Sequence, residues 1–178
     1  MAARANHEHF PRRTSADTSG ENQRILQKLE AASGDLDVLR LTANSPALLG
    51  PFLRFSAALL GKTSVPRATI ERAILYVAGR AGQTYEIREH EAMGRAIGLT
   101  DQQIESLVAG QISPEMFDAD QQLVVELAAA VHAGTAVPAE LWSRCVAVWE
   151  LEGVLELLLI ISLYAGTMPL FLNSLGMS

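Results

Sequence analysis

Two glutamates and a histidine, Glu71, Glu86 and His90, have the residue types and the spacing that acid–base chemistry requires. Glu86 and His90 are four positions apart, so on a helix they lie one turn above each other on the same face. Glu71 lies on the preceding segment, where its neighbours at helical spacing, Ile74 and Leu75, are apolar. Two carboxylates with an imidazole suit proton transfer, because burial and neighbouring charges push the proton affinities of such groups apart.

The stripe that begins with Glu86 and His90 continues to Met93 and Ile97, which are apolar. We therefore predict that the two ionisable residues occupy positions that otherwise belong to the core. Charge at such a position is unfavourable unless a partner or a function compensates it. The alternative is structural, because glutamate and histidine one helical turn apart also pair on helix surfaces.

The connection between the two segments is short and has Gly82 at its centre. Such a turn makes the two helices antiparallel neighbours, so Glu71 is predicted to face the Glu86–His90 ridge across a helical hairpin. The water-facing side of the first helix is assigned to its arginines, Arg67, Arg72 and Arg80. A structural alternative exists for Glu71 as well, since a semi-buried glutamate can pair with an arginine for stability alone.

Apolar residues recur at helical spacing along the chain, and sustained period-2 alternation is scarce, which predicts an all-α protein. Thr100 with Gln103 makes a capping-box pattern, and other caps, glycines and prolines mark further helix ends. The predicted helices cover about 21–33, 46–60, 66–80, 84–98, 101–110, 118–131, 138–150, 153–165 and 168–175. Residues 1–20 are predicted to form a flexible arm, and residues 21–178 a single domain.

The charge and the cysteine content limit the partners and the compartment. The formal net charge is −6 and the sequence pI is about 5.2, with acidic and basic residues interleaved. Because this pattern leaves no basic face for a phosphate backbone, nucleic acid is not an expected partner. The one cysteine, Cys145, cannot form an internal disulfide, so a reducing compartment, the cytoplasm, is expected.

One apolar stretch, Gly153–Leu172, approaches the length of a membrane span. It carries Glu156 and is interrupted by Gly166 and Pro169. We therefore expect a buried helix followed by a second helix, and no membrane partner. Self-association is expected, because the chain has more apolar helix surface than one small bundle readily buries.

A metal centre is not expected at the candidate site. Helical di-iron proteins use Glu-x-x-His on two helices, whereas this chain has one Glu-x-x-x-His, from Glu86 to His90. The sequence also contains no Cys/His cluster with the spacing of a structural zinc site.

The span from Pro66 to Gly110 reads PRATIERAILYVAGRAGQTYEIREHEAMGRAIGLTDQQIESLVAG, with an early glutamate, a Tyr-Glu-x-x-x-His and a Gly-Leu-Thr cap. In these features it resembles the carboxymuconolactone decarboxylase family, which is related to alkylhydroperoxidase D. The later stretch WELEGVLELLLIISLYAGTMPLFLNSLG is similar to the closing helices of that family. The resemblance implies an alkylhydroperoxidase D-like helical bundle built around a helical hairpin, in a homo-oligomer that is a trimer or a hexamer.

The resemblance places Glu71 and His90 at the relay glutamate and the relay histidine of the peroxidase branch. The two redox cysteines of that branch fall at Gln83 and Glu86. Neither residue is a cysteine, and Cys145 lies far away in the sequence, so the chain lacks the thiol pair of a peroxidase mechanism. A peroxidase activity is therefore not expected.

The run Glu-Ile-Arg-Glu-His is similar to the Glu-Leu-Arg-x-His of the decarboxylases, and it matches at Glu86, Arg88 and His90. Tyr85 stands where both named branches have a histidine, which leaves the substrate open. Tyr85 is a candidate hydrogen-bond donor to a developing enolate. Arg88 is a candidate for binding a substrate carboxylate, although its helical phase points away from His90.

The resemblance implies an enzyme that decarboxylates a carboxylated lactone or a similar small cyclic acid, without an organic cofactor. His90 is the expected proton donor or acceptor, Glu86 its orienting partner and Glu71 a second base or relay. Tyr164 in the closing helices is a further candidate for substrate contact, with core packing as its alternative. The same site would also serve an isomerase, a cyclase or a hydrolase, and a non-catalytic oligomeric family member is the third possibility.

Overall fold

The chain is helical in the residues that this computed structural model describes, 10–32 and 37–177. A 3-10 turn, Ser15–Asp17, precedes the first helix, and a π-helical segment, Leu163–Thr167, here called the π segment, precedes the last. The helices are α1 (Gly20–Ala31), α2 (Asp37–Thr42), α3 (Leu49–Gly61), α4 (Arg67–Ala81), α5 (Thr84–Ala96), α6 (Asp101–Ala109), α7 (Ala119–His132), α8 (Ala139–Ser162) and α9 (Met168–Ser174). Neither described range contains a strand, which confirms the predicted all-α class.

Two compact units make up the described chain, and the first contains the residues up to Ala58 together with Ser174–Gly176. Its core is formed by Leu26, Ala43 and Leu49, with Ile25, Leu29 and Leu39 packed against them. Here α2 is not among the predicted helices. In addition, α3 begins at Leu49 rather than near Pro46, because residues 45–48 form a hydrogen-bonded turn. Residues 1–9 of the predicted arm lie outside the described residues.

The second unit, Leu59–Asn173 with Met177, is organised around α4. The π segment and helices α5, α6, α7 and α8 all pack against this helix, so α4 is buried on most sides. Its buried residues are Ile70, Glu71, Ala73, Ile74, Leu75, Val77 and Ala78. The contact with α6 is close: a Cβ atom on Gly79 would collide with the backbone of Val108, so glycine is required there.

Local capping chemistry sets several helix ends in the second unit. Thr100 and Gln103 form a capping box at the start of α6, and Asp118 begins α7 in the same way. Gly82 ends α4 in the left-handed region, with φ of 63°. These three ends confirm the boundaries predicted there.

Helix α8 is interrupted at Glu150, whose backbone angles (φ 55°, ψ 179°) are not helical. The interruption matches the break predicted after residue 150. Beyond it, Glu156 accepts hydrogen bonds from the backbone N–H of Ser64 at 2.9 Å and from its hydroxyl at 2.8 Å. The one carboxylate of this apolar stretch therefore ties α8 to the loop that precedes α4.

The helical region Ala139–Ser174 is long and apolar enough to cross a membrane, judged by length and composition alone. Within its apolar window, 39% of the residues are buried inside the structure. Core helices of globular domains can share these two properties. The expected absence of a membrane partner therefore stays a prediction.

Two predicted burials, at and just after the end of α5, are wrong. Met93 and Ile97, expected in the core, are exposed, and Gly94 is buried instead. A Cβ on Gly94 would lie 3.5 Å from the Leu75 side chain, which is ordinary packing contact. The buried face of α5 therefore continues from His90 to Gly94, one turn on, rather than to Met93.

Candidate active site

Helices α4 and α5 form the helical hairpin that carries the candidate site. Gly82 ends α4, and the side chain of Gln83 caps α5 by accepting a hydrogen bond from the backbone N–H of Tyr85 at 2.9 Å. The connection between the helices is short, so they run side by side. Glu71 of α4 and His90 of α5 consequently meet across the hairpin.

His90 lies between two carboxylates. Its Nδ1 atom is 2.7 Å from Glu71 Oε2, and its Nε2 atom is 3.3 Å from Glu86 Oε2. The exposed fractions of the three side chains are 3% for His90, 0% for Glu71 and 5% for Glu86. The structure thus brings together the three residues on which the acid–base hypothesis depends, at a place from which water is largely excluded.

Glu71 also pairs with Arg67, one turn earlier on α4. Arg67 Nη2 forms an ion pair with Glu71 Oε1, while Glu71 Oε2 faces His90. The same guanidinium donates to the backbone carbonyl of Leu60 and lies 3.4 Å from the sulfur of Met93. The sequence assigns Arg67 to the water-facing side, but its side chain is only 30% exposed and its guanidinium turns toward Glu71.

The charge of His90 follows from opposing effects. Burial is the largest of them, and by itself it lowers the pKa of His90. The hydrogen bonds to Glu71 and Glu86, and the negative charges of both carboxylates, act in the opposite direction and raise the pKa of His90 to about 9. At neutral pH His90 is therefore an imidazolium with a carboxylate at each ring nitrogen.

Tyr164 of the π segment packs on the imidazole of His90. The two rings meet edge to face, with centroids 4.9 Å apart and an interplanar angle of 85°. Burial, with a further contribution from the charges of Glu86 and Glu71, raises the pKa of Tyr164. Its hydroxyl is therefore neutral and able to donate a hydrogen bond. Single π-helical turns inside helices frequently mark functional sites.

Gln83 joins the start of α5 to α9. Its Nε2 atom donates to Asn173 Oδ1 at 2.8 Å, while its Oε1 atom caps α5. The resemblance stated in the sequence analysis would place a redox cysteine of the peroxidase branch at this position. Here it holds a buried amide that connects two helices.

Tyr85 and Arg88, two further sequence candidates, contact each other. The guanidinium carbon of Arg88 lies 5.2 Å from the centroid of the Tyr85 ring, which is within the range of a cation–π interaction. Tyr85 is buried and Arg88 is exposed. The structure therefore places Arg88 on the outer face of α5, the direction that its helical phase indicates.

Cys145 of α8 is buried and forms no disulfide. Burial raises the pKa of its thiol to about 11. A thiol with this pKa is mostly protonated at neutral pH and is a poor nucleophile.

In the described ranges, no group of three or more His, Cys, Asp or Glu side chains is arranged to hold a metal ion. At the candidate site, Glu71 and Glu86 contact opposite ring nitrogens of His90. The three side chains therefore do not converge on a single point.

Two surface cavities lie away from His90 in the described part of the chain. One, of about 470 Å³, lies beside the loop before α4 and the interruption in α8, and the other, of about 710 Å³, lies along α6. Neither is lined by Glu71, Glu86 or His90.

Comparisons with protein-family models, curated proteins and solved structures find no match to this chain. The family resemblance therefore stays an expectation that is based on the residues quoted above.

Two parts of the site are absent from the sequence-based prediction. Arg67 is one, although its spacing from Glu71, four residues along a helix, is visible in the sequence. The π segment is the other: Gly166 and Pro169 predict a break between two helices here, but not the π-helical geometry of Leu163–Thr167.

Proposed function

We propose that the chain is a proton-transfer enzyme of the carboxymuconolactone decarboxylase type, in which His90 protonates the substrate. The observation that supports this most strongly is the buried imidazolium of His90 between Glu71 and Glu86. A pKa of about 9 makes His90 an acid that is fully charged at neutral pH and still able to donate a proton. No organic cofactor is needed for the reaction proposed here.

In the decarboxylation that we favour, the substrate is a carboxylated lactone or a similar small cyclic acid with a carbonyl β to its carboxylate. The bond between the ring carbon and the carboxylate breaks, CO2 leaves, and the electron pair forms an enolate with the carbonyl. The enolate carbon then takes a proton from His90, and His90 regains a proton from solvent. One proton enters for each CO2 that leaves.

Each carboxylate has a separate role in this mechanism. Glu71 holds the Nδ1 side of the ring, and Glu86 orients the Nε2 side, from which the proton departs. A buried carboxylate at Glu86 disfavours a second negative charge beside it, so it favours conversion of the substrate carboxylate to neutral CO2. Removing the Glu86 charge should therefore slow the reaction even when folding is intact.

Three residues are proposed to contact the substrate rather than to transfer the proton. Tyr164, whose ring packs on His90, carries a neutral hydroxyl, and Tyr85 is the candidate donor to the enolate oxygen. Arg88 on the outer face of α5 is the candidate for the first contact with an anionic substrate.

Turnover by site variants tests this proposal. We would compare wild type with Glu86→Gln and His90→Asn on a panel of carboxylated lactones and cyclic β-keto acids, and measure CO2 release and product mass. We expect losses of at least about 100-fold for both variants with cooperative unfolding retained. Glu91→Gln and His132→Gln, which alter residues outside the site, serve as matched controls.

The outcomes separate the rival functions. Products of unchanged mass, or products that gain water, formed without CO2 but dependent on His90, would favour an isomerase, a cyclase or a hydrolase on the same site. If no substrate turns over and both variants are as stable as wild type or more stable, the site is vestigial and the proposed enzyme function is wrong.

We further propose that the chain forms an alkylhydroperoxidase D-like bundle that self-associates as a trimer or hexamer in the cytoplasm. The supporting observation is a row of exposed leucines one turn apart on α8, Leu151, Leu155 and Leu159. Contiguous apolar surface of this kind is typical of subunit contacts. Light scattering should show an oligomer that Leu155→Glu weakens, and a wild-type monomer at micromolar concentration would contradict the proposal.

A further inference from the structure

Arg67 contacts three parts of the second unit at once. Its guanidinium forms the ion pair with Glu71 of α4, donates to the carbonyl of Leu60 and lies 3.4 Å from the sulfur of Met93 on α5. A guanidinium presents several donors in one rigid plane, so it can satisfy such separated partners, whereas an ammonium acts as a point charge. The position of Arg67 is therefore fixed from three directions.

The two oxygens of Glu71 are divided between two cations. Oε1 pairs with Arg67 and Oε2 with His90, and the Glu71 side chain is 0% exposed. Burying a carboxylate to this extent is unfavourable unless cations compensate its charge. Arg67, which is 30% exposed, supplies that compensation from the edge of the site.

The groups around His90 come from each element packed against it. Glu71 on α4 and Glu86 on α5 face His90, Arg67 on α4 pairs with Glu71, and the ring of Tyr164 on the π segment packs on the imidazole. With His90 protonated, Arg67, Glu71, His90 and Glu86 carry two positive and two negative charges. The buried cluster is then electrically neutral.

We propose that Arg67 is a positioning residue that sets the proton affinity of this site: it holds Oε1 of Glu71 and so directs Oε2 to His90, and its positive charge opposes the binding of protons by the cluster. The use of His90 in catalysis rests on the proposed function, whereas the electrostatic effect of Arg67 does not. Removing the positive charge of Arg67 makes the cluster bind protons more tightly, because every proton that binds is then repelled by one cation fewer.

Proton binding by the cluster can be followed by NMR of histidine-labelled protein without any substrate. The chain has four histidines, and the His90 signal is the one that His90→Asn removes. In Arg67→Met we expect the pH at which His90 loses its proton to rise by about one unit or more. Arg95→Met, which removes an exposed arginine that pairs with Asp101, is the control for the change in net charge and should leave the His90 titration where it is in wild type.

Two more variants separate charge from structure. Arg67→Lys keeps the charge, so its His90 titration should lie near that of wild type, while kcat falls because the three contacts cannot all be kept. Arg67→Gln removes the charge but keeps a donor, and it replaces Arg67→Met if that variant does not unfold cooperatively. Two results would overturn the inference. One is a His90 titration midpoint in Arg67→Met or Arg67→Gln that equals the midpoint in Arg95→Met. The other is a midpoint in Arg67→Lys that equals the midpoint in the uncharged variants.

The result is independent of turnover. A shifted His90 titration in a protein that decarboxylates nothing would leave the inference standing and remove the proposed function. Turnover that depends on His90, together with an unshifted His90 titration in Arg67→Met, would support the proposed function and overturn the inference.

Discussion

The imidazole of His90 on α5 and the carboxylate of Glu71 on α4 meet at 2.7 Å, across the two arms of one hairpin. Both side chains are almost completely buried, so folding removes both groups from most of their contact with water. This contact couples the protonation of the site to the stability of the fold.

Stability should therefore fall as the pH rises through the range in which His90 loses its proton. The pKa of His90 is about 6.5 in an unfolded chain and is raised to about 9 in the folded protein. The folded state keeps a proton that the unfolded state releases, so the stabilisation is complete below pH 6.5 and is lost by about pH 9. The change should be on the order of 3 kcal/mol, measured by urea unfolding at both ends of this range.

His90→Asn is the variant that tests the origin of this slope. Its unfolding free energy should change much less over the same range, while His132→Gln, at an exposed position, should keep the wild-type slope. An unchanged slope in His90→Asn would show that other groups cause it.

Glu71→Gln should destabilise the protein strongly. The substitution keeps the shape of the side chain but leaves the charges of Arg67 and His90 without the carboxylate that joins them. Breaking a buried ion pair by removing one partner costs about 3–5 kcal/mol. Chemical unfolding at neutral pH measures the loss.

Glu91→Gln is the matched control for Glu71→Gln, because it removes a glutamate whose ion pair with Arg95, at 3.5 Å, is partly exposed. Its expected cost is below about 1 kcal/mol. Equal losses in the two variants would argue against a special role for the buried pair.

Tyr164 should contribute to stability through its ring. Tyr164→Phe keeps the edge-to-face contact with His90, so its unfolding free energy should stay within about 1 kcal/mol of wild type. Tyr164→Ala removes the ring from a buried position and should cost about 3 kcal/mol or more. Thermal unfolding of the two variants side by side separates the contribution of the ring to stability from that of the hydroxyl. Similar losses of unfolding free energy in both variants would assign the stabilisation to the hydroxyl.

Gly79→Ala should disturb the packing of α6 on α4. The added Cβ would collide with the backbone of Val108, and backbone cannot move aside as the end of a flexible side chain can. Overpacking of this kind typically costs about 1–3 kcal/mol. Gly61→Ala, where a Cβ meets nothing within 4 Å, is the control and should be neutral or slightly stabilising in a melting experiment.

The parts of the fold that the sequence predicts correctly are those determined by local chemistry. Thr100 and Asp118 begin helices because their side-chain oxygens accept from backbone N–H groups three residues later. Gly82 ends α4 because glycine adopts a positive φ without strain. These interactions involve only neighbouring residues, so their signatures are visible in the sequence.

The errors concern packing between helices. Helical periodicity places Met93 and Gly94 on adjacent stripes of α5, and hydrophobicity alone selects Met93 for the core. The structure buries Gly94 instead, at a point where an added Cβ would be in ordinary contact with the side chains of Leu75 and Leu99. A choice between adjacent stripes depends on the shape of the partner helix, which the sequence of α5 does not contain.

The candidate site shows the same division between local and long-range information. Spacing and hairpin topology predict that Glu71 faces Glu86 and His90, and the structure has this arrangement. The turn of Arg67 toward Glu71 depends on Leu60 and Met93, which come from outside α4. The packing of Tyr164 on His90 depends on a change in helical geometry far along the chain.

The hydrogen bonds from Ser64 to Glu156 and from Gln83 to Asn173 join residues 92 and 90 positions apart in the chain. A ribosome therefore makes the whole α4–α5 hairpin before it makes the residues of α8, the π segment and α9 that contact it. Until the π segment has been made, the ring of Tyr164 cannot pack on His90. The acid–base cluster is therefore completed well after the hairpin that carries it has been synthesised.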